Sequence, residues 1–426
     1  MSDIAFELYN LGWRLLRPLL KAQPRLKEGY AARILAEQPP GPADIWIQAA
    51  SAGEAYLAIS LIKNLPADRK LRILVSTNTR QGMDILSKGV NETSLRSSHA
   101  DVMLTYFPFD QPAIMDRAVR LIKPGVMVLL ESELWPGLLA ALHRHNCRIL
   151  IVNGRMTPKS VRHYSLLPKL WKSLAPDRVL AISENDGRRF ARLFGQSRVE
   201  VISNIKFDGV IMDSDFAEST RRIKGILPRE SGFLVLGSIR QEEEADVLRM
   251  VGAIDNRFPD LVIGLFPRHM HRLNAWQEYL TDSGKKWRFR SALTENTPAL
   301  PGSIVLWDTF GDLNAAYALA GAVFVGGSLA PLGGQNFLEP LMNGVVPVIG
   351  PSWENFLWIG PEVFSAGLVR KTSDWRTAAS ELIKLIDAPL SREEVRRRAT
   401  AYIRTRQGGT ELACQRILAA LDRKHS

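Results

Sequence analysis

Short, almost uninterrupted apolar runs recur along this chain, and that recurrence limits its fold more than any other feature. Polar loop residues follow each run, and then a stretch of helical period. In the first half the runs are DIWIQAA (44–50), RILVS (72–76), VMLTYF (102–107), VMVLL (126–130), RILIV (148–152), RVLAI (178–182) and VEVIS (199–203). Strands with one face in water alternate apolar and polar residues. Nearly continuous runs separated by helices indicate parallel strands covered on both faces. The alternation pauses over the polar residues 208–230 and restarts with GFLVLGS (232–238), DLVIGLF (260–266), SIVLWD (303–308), GAVFVGG (321–327) and VVPVIG (345–350). A chain of 426 residues is too long for one ordinary domain and suits two or three. The reading is therefore two Rossmann-like, doubly wound α/β domains, 1–210 and 211–426, facing a central cleft. The segment from about 390 is read as a basic helix of the second domain.

Hydrophobic residues make up 46% and charged residues 23% of the chain, a globular composition that excludes overall disorder. Two cysteines, Cys147 and Cys414, cannot build a disulfide framework or a cysteine zinc cluster. The net charge of +11 favours anionic partners: nucleic acid, anionic lipid or a phosphorylated substrate. The basic patches lack the interleaved aromatics and modules of nucleic-acid binding, so no nucleic acid is expected.

Residues 4–20 are apolar but carry Glu7, Arg14 and Arg17, which argues against a spanning helix and against a signal peptide. Phe6, Leu8, Tyr9, Leu11, Trp13, Leu15, Leu16, Leu19 and Leu20 alternate with Arg14, Arg17 and Lys21. This pattern fits a helix lying in a lipid headgroup layer, and equally a terminal helix packed on its own domain. Residues 313–332 read as a short helix, a buried strand and a glycine loop.

Open parallel sheets bind ligands beyond the carboxyl ends of their strands, so the residues after each run are the ones that can carry chemistry. Ser51-Ala52-Gly53-Glu54 follows the first run; Glu54 is either a helix-capping acid or a general base. Glu131-Ser132-Glu133 follows the fourth, where two carboxylates at a buried strand end are costly unless paired or used. Lys206 follows the seventh, placed for an anionic substrate or an interdomain ion pair. In the second half Arg240 follows one strand and Arg268 the next, and a fixed guanidinium suits phosphate. The glycine-rich segment 326–334 lets backbone N–H groups approach a ligand. A helix beginning near Asn336 would turn its positive end toward phosphate, with Glu339 accepting ribose hydroxyls. The alternative is a structural turn. There is no Walker A or dinucleotide glycine pattern. Asp213-Ser214-Asp215 sits in the polar junction, and the pairs His143/His145 and His269/His271 lack further ligands, so no metal or cofactor is expected.

Taken in order, these motifs resemble the Kdo (3-deoxy-D-manno-octulosonic acid) transferases of glycosyltransferase family 30. The matching residues are Ser51-Ala52-Gly53-Glu54, ESELWP at 131–136, NGRM at 153–156, IKFD at 205–208, PRH at 267–269, DTFGDL at 308–313, VGGSL at 325–329, GGQNFLEP at 333–340 and GP at 350–351. The resemblance implies a GT-B fold and inverting transfer of Kdo from CMP-Kdo to lipid IVA, the lipid A precursor. It implies a peripheral enzyme on the anionic, cytoplasmic face of a Gram-negative inner membrane. It makes Glu54 the catalytic base and gives Glu131 and Lys206 roles in transition-state stabilisation. It assigns Pro267, Arg268, Phe310, Gly311, Asp312, Asn336, Phe337, Leu338 and Glu339 to the CMP site. The chain departs from the family pattern at Gln335, often histidine, at 239–244, usually Thr-His-x-Gly-Glu-Glu, and at Phe310 and Asp312. Two rival readings are another GT-B enzyme using a UDP-sugar and a non-catalytic membrane-binding relative.

Overall fold

The computed structural model describes residues 3–21, 23–37, 40–66, 69–91, 100–210 and 217–422. Asp213-Ser214-Asp215 and the side chains of Phe6, Leu8, Arg17 and Leu19 lie outside the described residues. The chain divides into two units, Met1–Gly209 with Arg406–Ser426, and Val210–Thr405.

The first unit carries a sheet of seven parallel strands: β1 (Ile45–Ala49), β2 (Leu71–Thr77), β3 (Ala100–Tyr106), β4 (Val126–Leu130), β5 (Arg148–Gly154), β6 (Arg178–Ala181) and β7 (Val199–Val201). Their order is β3-β2-β1-β4-β5-β6-β7. Successive residues of one strand feed two different cores. Trp46, Met127, Leu129, Ile149 and Ile151 enter one cluster, and Ile45, Ile47, Val126, Val128 and Leu150 the other. Both faces are dry, which is why the runs are apolar throughout. The helix Pro112–Ile122 covers one face through Met115 and Val119, and Ala52–Asn64 covers the other through Leu57 and Leu61.

The second unit repeats the plan with β8 (Phe233–Ile239), β9 (Val262–Pro267), β10 (Trp287–Phe289), β11 (Ile304–Leu306), β12 (Ala322–Val325), β13 (Pro347–Ile349) and β14 (Arg370–Lys371), all pairing in parallel. The order is β10-β11-β9-β8-β12-β13-β14. In each sheet the chain starts near the middle, builds to one side, then returns to build the other. The reversal falls between β1 and β4 in the first sheet and between β8 and β12 in the second. Polar residues beyond the strand ends at such a switch point can converge on one ligand.

The sequence placed the whole tail in the second domain, and here the structure corrects it. Residues 392–404 form a helix of the second unit, but the helix Gly409–Asp422 belongs to the first. Its Ala413, Cys414, Ile417 and Leu421 enter the core beneath the first sheet. Arg416 chelates Glu200 at 2.9 and 2.7 Å. A Cβ at Gly409 would collide with the Ser203 carbonyl, so only glycine permits this approach.

The helix Asp3–Lys21 packs on the first unit by one face. Tyr9 donates to Asp110 at 2.8 Å, and the Trp13 ring meets Phe109 at 5.8 Å. Leu11, Leu15 and Leu16 are exposed on the same helix. Among the described residues no helix is long and apolar enough to cross a membrane.

Candidate active site

Glu54 stands in the first turn of the helix that leaves β1, with Ser51 as its N-cap. The Ser51 hydroxyl accepts from the Glu54 N–H at 3.3 Å and donates to Glu54 Oε1 at 2.9 Å. The Ala50 N–H donates to Oε2 at 2.7 Å. The carboxylate therefore helps build the helix start, as the capping reading expects, and is also buried, with the residue 8% exposed. Burial pushes its pKa up to about 7, and the charges of Glu133 and Glu131 push the same way, against the two hydrogen bonds.

Glu131 follows directly on the neighbouring strand, β4. Its φ of 55° is left-handed backbone that a residue with a Cβ enters at a cost of order 1 kcal/mol. Lys206 donates to Glu131 Oε1 at 2.7 Å, so the lysine's ion pair lies within the first unit. The Lys206 turn is fixed from several sides. Asn153 accepts the Ile205 N–H at 3.0 Å and Asn204 accepts the Lys206 N–H at 3.0 Å. Asp208 accepts the Gly408 N–H at 2.7 Å and the Thr410 N–H and hydroxyl at 2.6 Å each. A carboxylate at these amides suits the positive end of the helix they begin. The returning tail thus anchors the turn that carries Lys206.

Glu133 is the acid absent from the sequence-derived site. The Trp135 indole donates to its Oε2 at 2.6 Å. Burial raises its pKa and Glu131 adds to the rise, against the indole hydrogen bond. The signal was present in the sequence, as a second carboxylate beside a buried strand end. Three carboxylates and one lysine therefore gather where β1 and β4 end.

In the second unit Pro267 closes β9 and pairs with Ile239, and Arg268 follows with an exposed side chain. Glu339 lies near enough to feel the Arg268 charge. Burial raises its pKa against the Asn336 hydrogen bond and that guanidinium. Asn336 donates to Glu339 at 2.9 Å and accepts the Leu338 N–H at 3.1 Å. Phe337 and Leu338 are core residues, so only their backbone can face a ligand. Phe310 is 84% exposed, and Gly311 beside it has φ 87°, a turn conformation suited to glycine. Asp312 points inward: Arg222 donates to it at 2.8 Å, Trp307 at 3.2 Å and Thr309 at 3.0 Å. Burial alone would raise its pKa, but these donors hold it below the usual carboxylate range. Its carboxylate braces the Phe310 turn.

Two expectations for the glycine segment need correction. The helix there is Leu338–Met342, one turn that begins after Asn336, too short for a strong dipole. The loop amides are also already taken. Glu243, wholly buried, accepts the N–H groups of Gly327, Ser328 and Leu329. Gly334 and Gln335 donate back to Gly327 and Gly326, and Gly333 donates to Ser352. The glycines are there because a Cβ at Gly326 would strike Glu243 and the Ser238 carbonyl. Among the described residues no cluster of three or more His, Cys, Asp or Glu is arranged to hold a metal ion.

Two doubly wound sheets of seven parallel strands give the chain a fold of the GT-B type. The UDP-GlcNAc 2-epimerase of Neisseria meningitidis shares this fold, with a TM-score of 0.55 at 12% identity over 89% of this chain and 99% of that one. A family model described as 3-deoxy-D-manno-octulosonic-acid transferase (kdotransferase) matches residues 23–209. The 3-deoxy-D-manno-octulosonic acid transferase of Bordetella pertussis is 29% identical over 90% of this chain and 88% of its own length. That of Haemophilus influenzae is 27% identical over 88% and 85%. The chain is thus similar to Kdo transferases over nearly nine tenths of its length.

Proposed function

We propose that this enzyme transfers Kdo from CMP-Kdo to lipid IVA with inversion of configuration, at the cytoplasmic face of a Gram-negative inner membrane. The observation that carries the reading is Glu54, a buried carboxyl held by two hydrogen bonds at a switch point, with its pKa near 7. A general base works best when its pKa lies near the operating pH, and such proton transfer contributes about 10²–10⁴-fold.

In the proposed reaction an acceptor hydroxyl attacks the anomeric carbon of Kdo. Its oxygen forms the new glycosidic bond while Glu54 takes its proton. The bond from the anomeric carbon to the phosphate oxygen breaks on the opposite face, and CMP departs with the bonding electron pair. The Arg268 guanidinium, free of any ion pair among the described residues, is suited to that phosphate. Glu131 and Lys206 form a fixed dipole beside the base, and a site whose dipoles are set in advance favours the developing charge. The relatives' Kdo transfer, extending over nearly nine tenths of the chain, supports the sugar.

The membrane reading rests on the helix Asp3–Lys21, which keeps Leu11, Leu15 and Leu16 exposed although its other face is packed. With a net charge of +11, attraction to anionic lipid adds on the order of 1 kcal/mol per Lys or Arg at the surface. The decisive test supplies CMP-Kdo generated in situ together with lipid IVA, and reads product mass and anomeric configuration. Transfer with inversion is expected. Transfer from a UDP-sugar but not from CMP-Kdo overturns the proposal.

A further inference from the structure

The carboxyl ends of β8 and β9 carry a second cation beside Arg268. Ile239 pairs with Pro267 in the parallel register, and the Arg268 N–H donates to the Ile239 carbonyl at 2.8 Å. Arg240 and Arg268 therefore leave the sheet side by side, on strands about 4.8 Å apart. His269 and His271 follow, with ring centroids 5.5 Å apart. Burial lowers the pKa of His269, and so do the charges of Arg240, Arg268 and His271, against the opposing charge of Glu242, which places these groups in one field.

Little neutralises this cluster. Arg268 makes no ion pair among the described residues. Arg240 has Glu242 at 3.6 Å, beyond hydrogen-bond length, and that acid is half exposed. Glu243 does not compensate the guanidinium, because its carboxylate serves the Gly327–Leu329 amides and the Arg240 backbone N–H. Arg240 Nε is buried and has no hydrogen-bond partner. A buried donor left unmatched is costly, and a bound acceptor relieves that cost. Two adjacent cations with one unused donor describe a site for two adjacent anions.

A CMP-linked 2-ulosonic acid has that form. Its phosphodiester and its carboxylate are both attached at the anomeric carbon, so only that carbon and the bridging oxygen separate them. Lys206 is already ion-paired with Glu131 at 2.7 Å, whereas Arg240 keeps an unmatched donor. We propose that Arg240 binds the sugar carboxylate of the donor while Arg268 binds its phosphate, so that Arg240 selects acidic sugars. The assignment rests on the CMP-Kdo reading above and adds to it the residue that recognises the sugar.

The test compares CMP-Kdo with CMP, which lacks the carboxylate. Arg240→Gln should raise KM for CMP-Kdo about 10–100-fold, the worth of a charge-assisted hydrogen bond. CMP inhibition should change less than about threefold, and that retained inhibition also reports an intact fold. Arg268→Gln should weaken both ligands, and Arg240→Lys should restore part of the KM. Equal weakening of CMP and CMP-Kdo by Arg240→Gln overturns the assignment, as does an unchanged KM. Wild-type protein that fails to bind CMP instead removes the donor reading itself, and the assignment with it.

Discussion

Replacing Glu54 by glutamine should abolish transfer and at the same time stabilise the protein, by an amount that depends on pH. The carboxyl has an ordinary value of 4.5 and is raised to about 7 in the fold. The folded state therefore keeps its proton across a window in which the unfolded chain has lost it. Stability from this group is full below 4.5 and is lost as pH rises through about 7. At 1.36 kcal/mol for each tenfold change in proton affinity, the loss is about 3 kcal/mol. Glutamine never ionises, so it escapes that loss. Its carbonyl can still accept the Ala50 N–H, and its amide can donate to the Ser51 hydroxyl, so the helix start survives. Thermal unfolding of both proteins at pH 8 should place the variant roughly 5–10 °C higher, given the size of the first unit. Near pH 4.5 the two curves should nearly coincide. A variant no more stable than wild type at pH 8, or a gap unchanged at low pH, would refute the argument that Glu54 is held ionised against its environment. Near-normal turnover in the variant would remove the base assignment.

The neighbouring residues give three further expectations. Glu133→Gln removes the like charge that acts on Glu54 after burial itself, so the acid limb of the kcat/KM profile should move below 7; a fixed limb contradicts the coupling. Glu243→Ala leaves the N–H groups of Gly327, Ser328 and Leu329 unpartnered at roughly 1–3 kcal/mol each. Its melting temperature should fall by several degrees and CMP protection should be lost, while wild-type values for both would show the loop to be held by other means. Leu15→Glu with Leu16→Glu changes two exposed positions, so binding to anionic vesicles should weaken while CMP protection stays. A parallel loss of both would mark the terminal helix as purely structural.

All twelve apolar runs became strands; ten are interior parallel strands, which must be apolar on both faces, and the other two, β3 and β7, are the edges of the first sheet. The strands missed were β10 and β14, the outermost pair of the second sheet. They are short and partly exposed, so their sequences, Trp287–Phe289 and Arg370–Lys371, need no run. The tail was misplaced for a related reason. The apolar stripe on Gly409–Asp422 announces a packed helix but not the sheet it packs on. At the site, Glu54 was legible from its place after β1. Glu242, Glu243 and Glu244 were not, because three consecutive acids look alike in sequence and meet three fates. Glu242 is exposed, Glu243 holds the loop amides, and Glu244 pairs with Arg272 at 3.0 and 2.6 Å. The glycine segment misled by the same logic. Close backbone approach was read correctly, but what approaches is the end of β8 with its buried glutamate.

The two sheets share a reversal of direction but carry opposite charge beyond their strand ends, and that difference suits the two tasks of the proposed sugar-nucleotide transfer. An acceptor hydroxyl must lose a proton, which calls for a carboxylate whose proton affinity is high. Burial and two further acids supply it at the ends of β1 and β4. In the proposed reaction a nucleotide must be held and then released as an anion, which calls for permanent cations, and Arg240 and Arg268 are suited to this at the ends of β8 and β9. Exchanging the character of either set would disable it. A glutamate moved among the arginines would be held ionised and make a poor base. An arginine among the three acids would be neutralised by them, as Lys206 already is by Glu131. The fold sets where chemistry can occur, and the local balance of charge decides which half of the proposed reaction each unit is suited to.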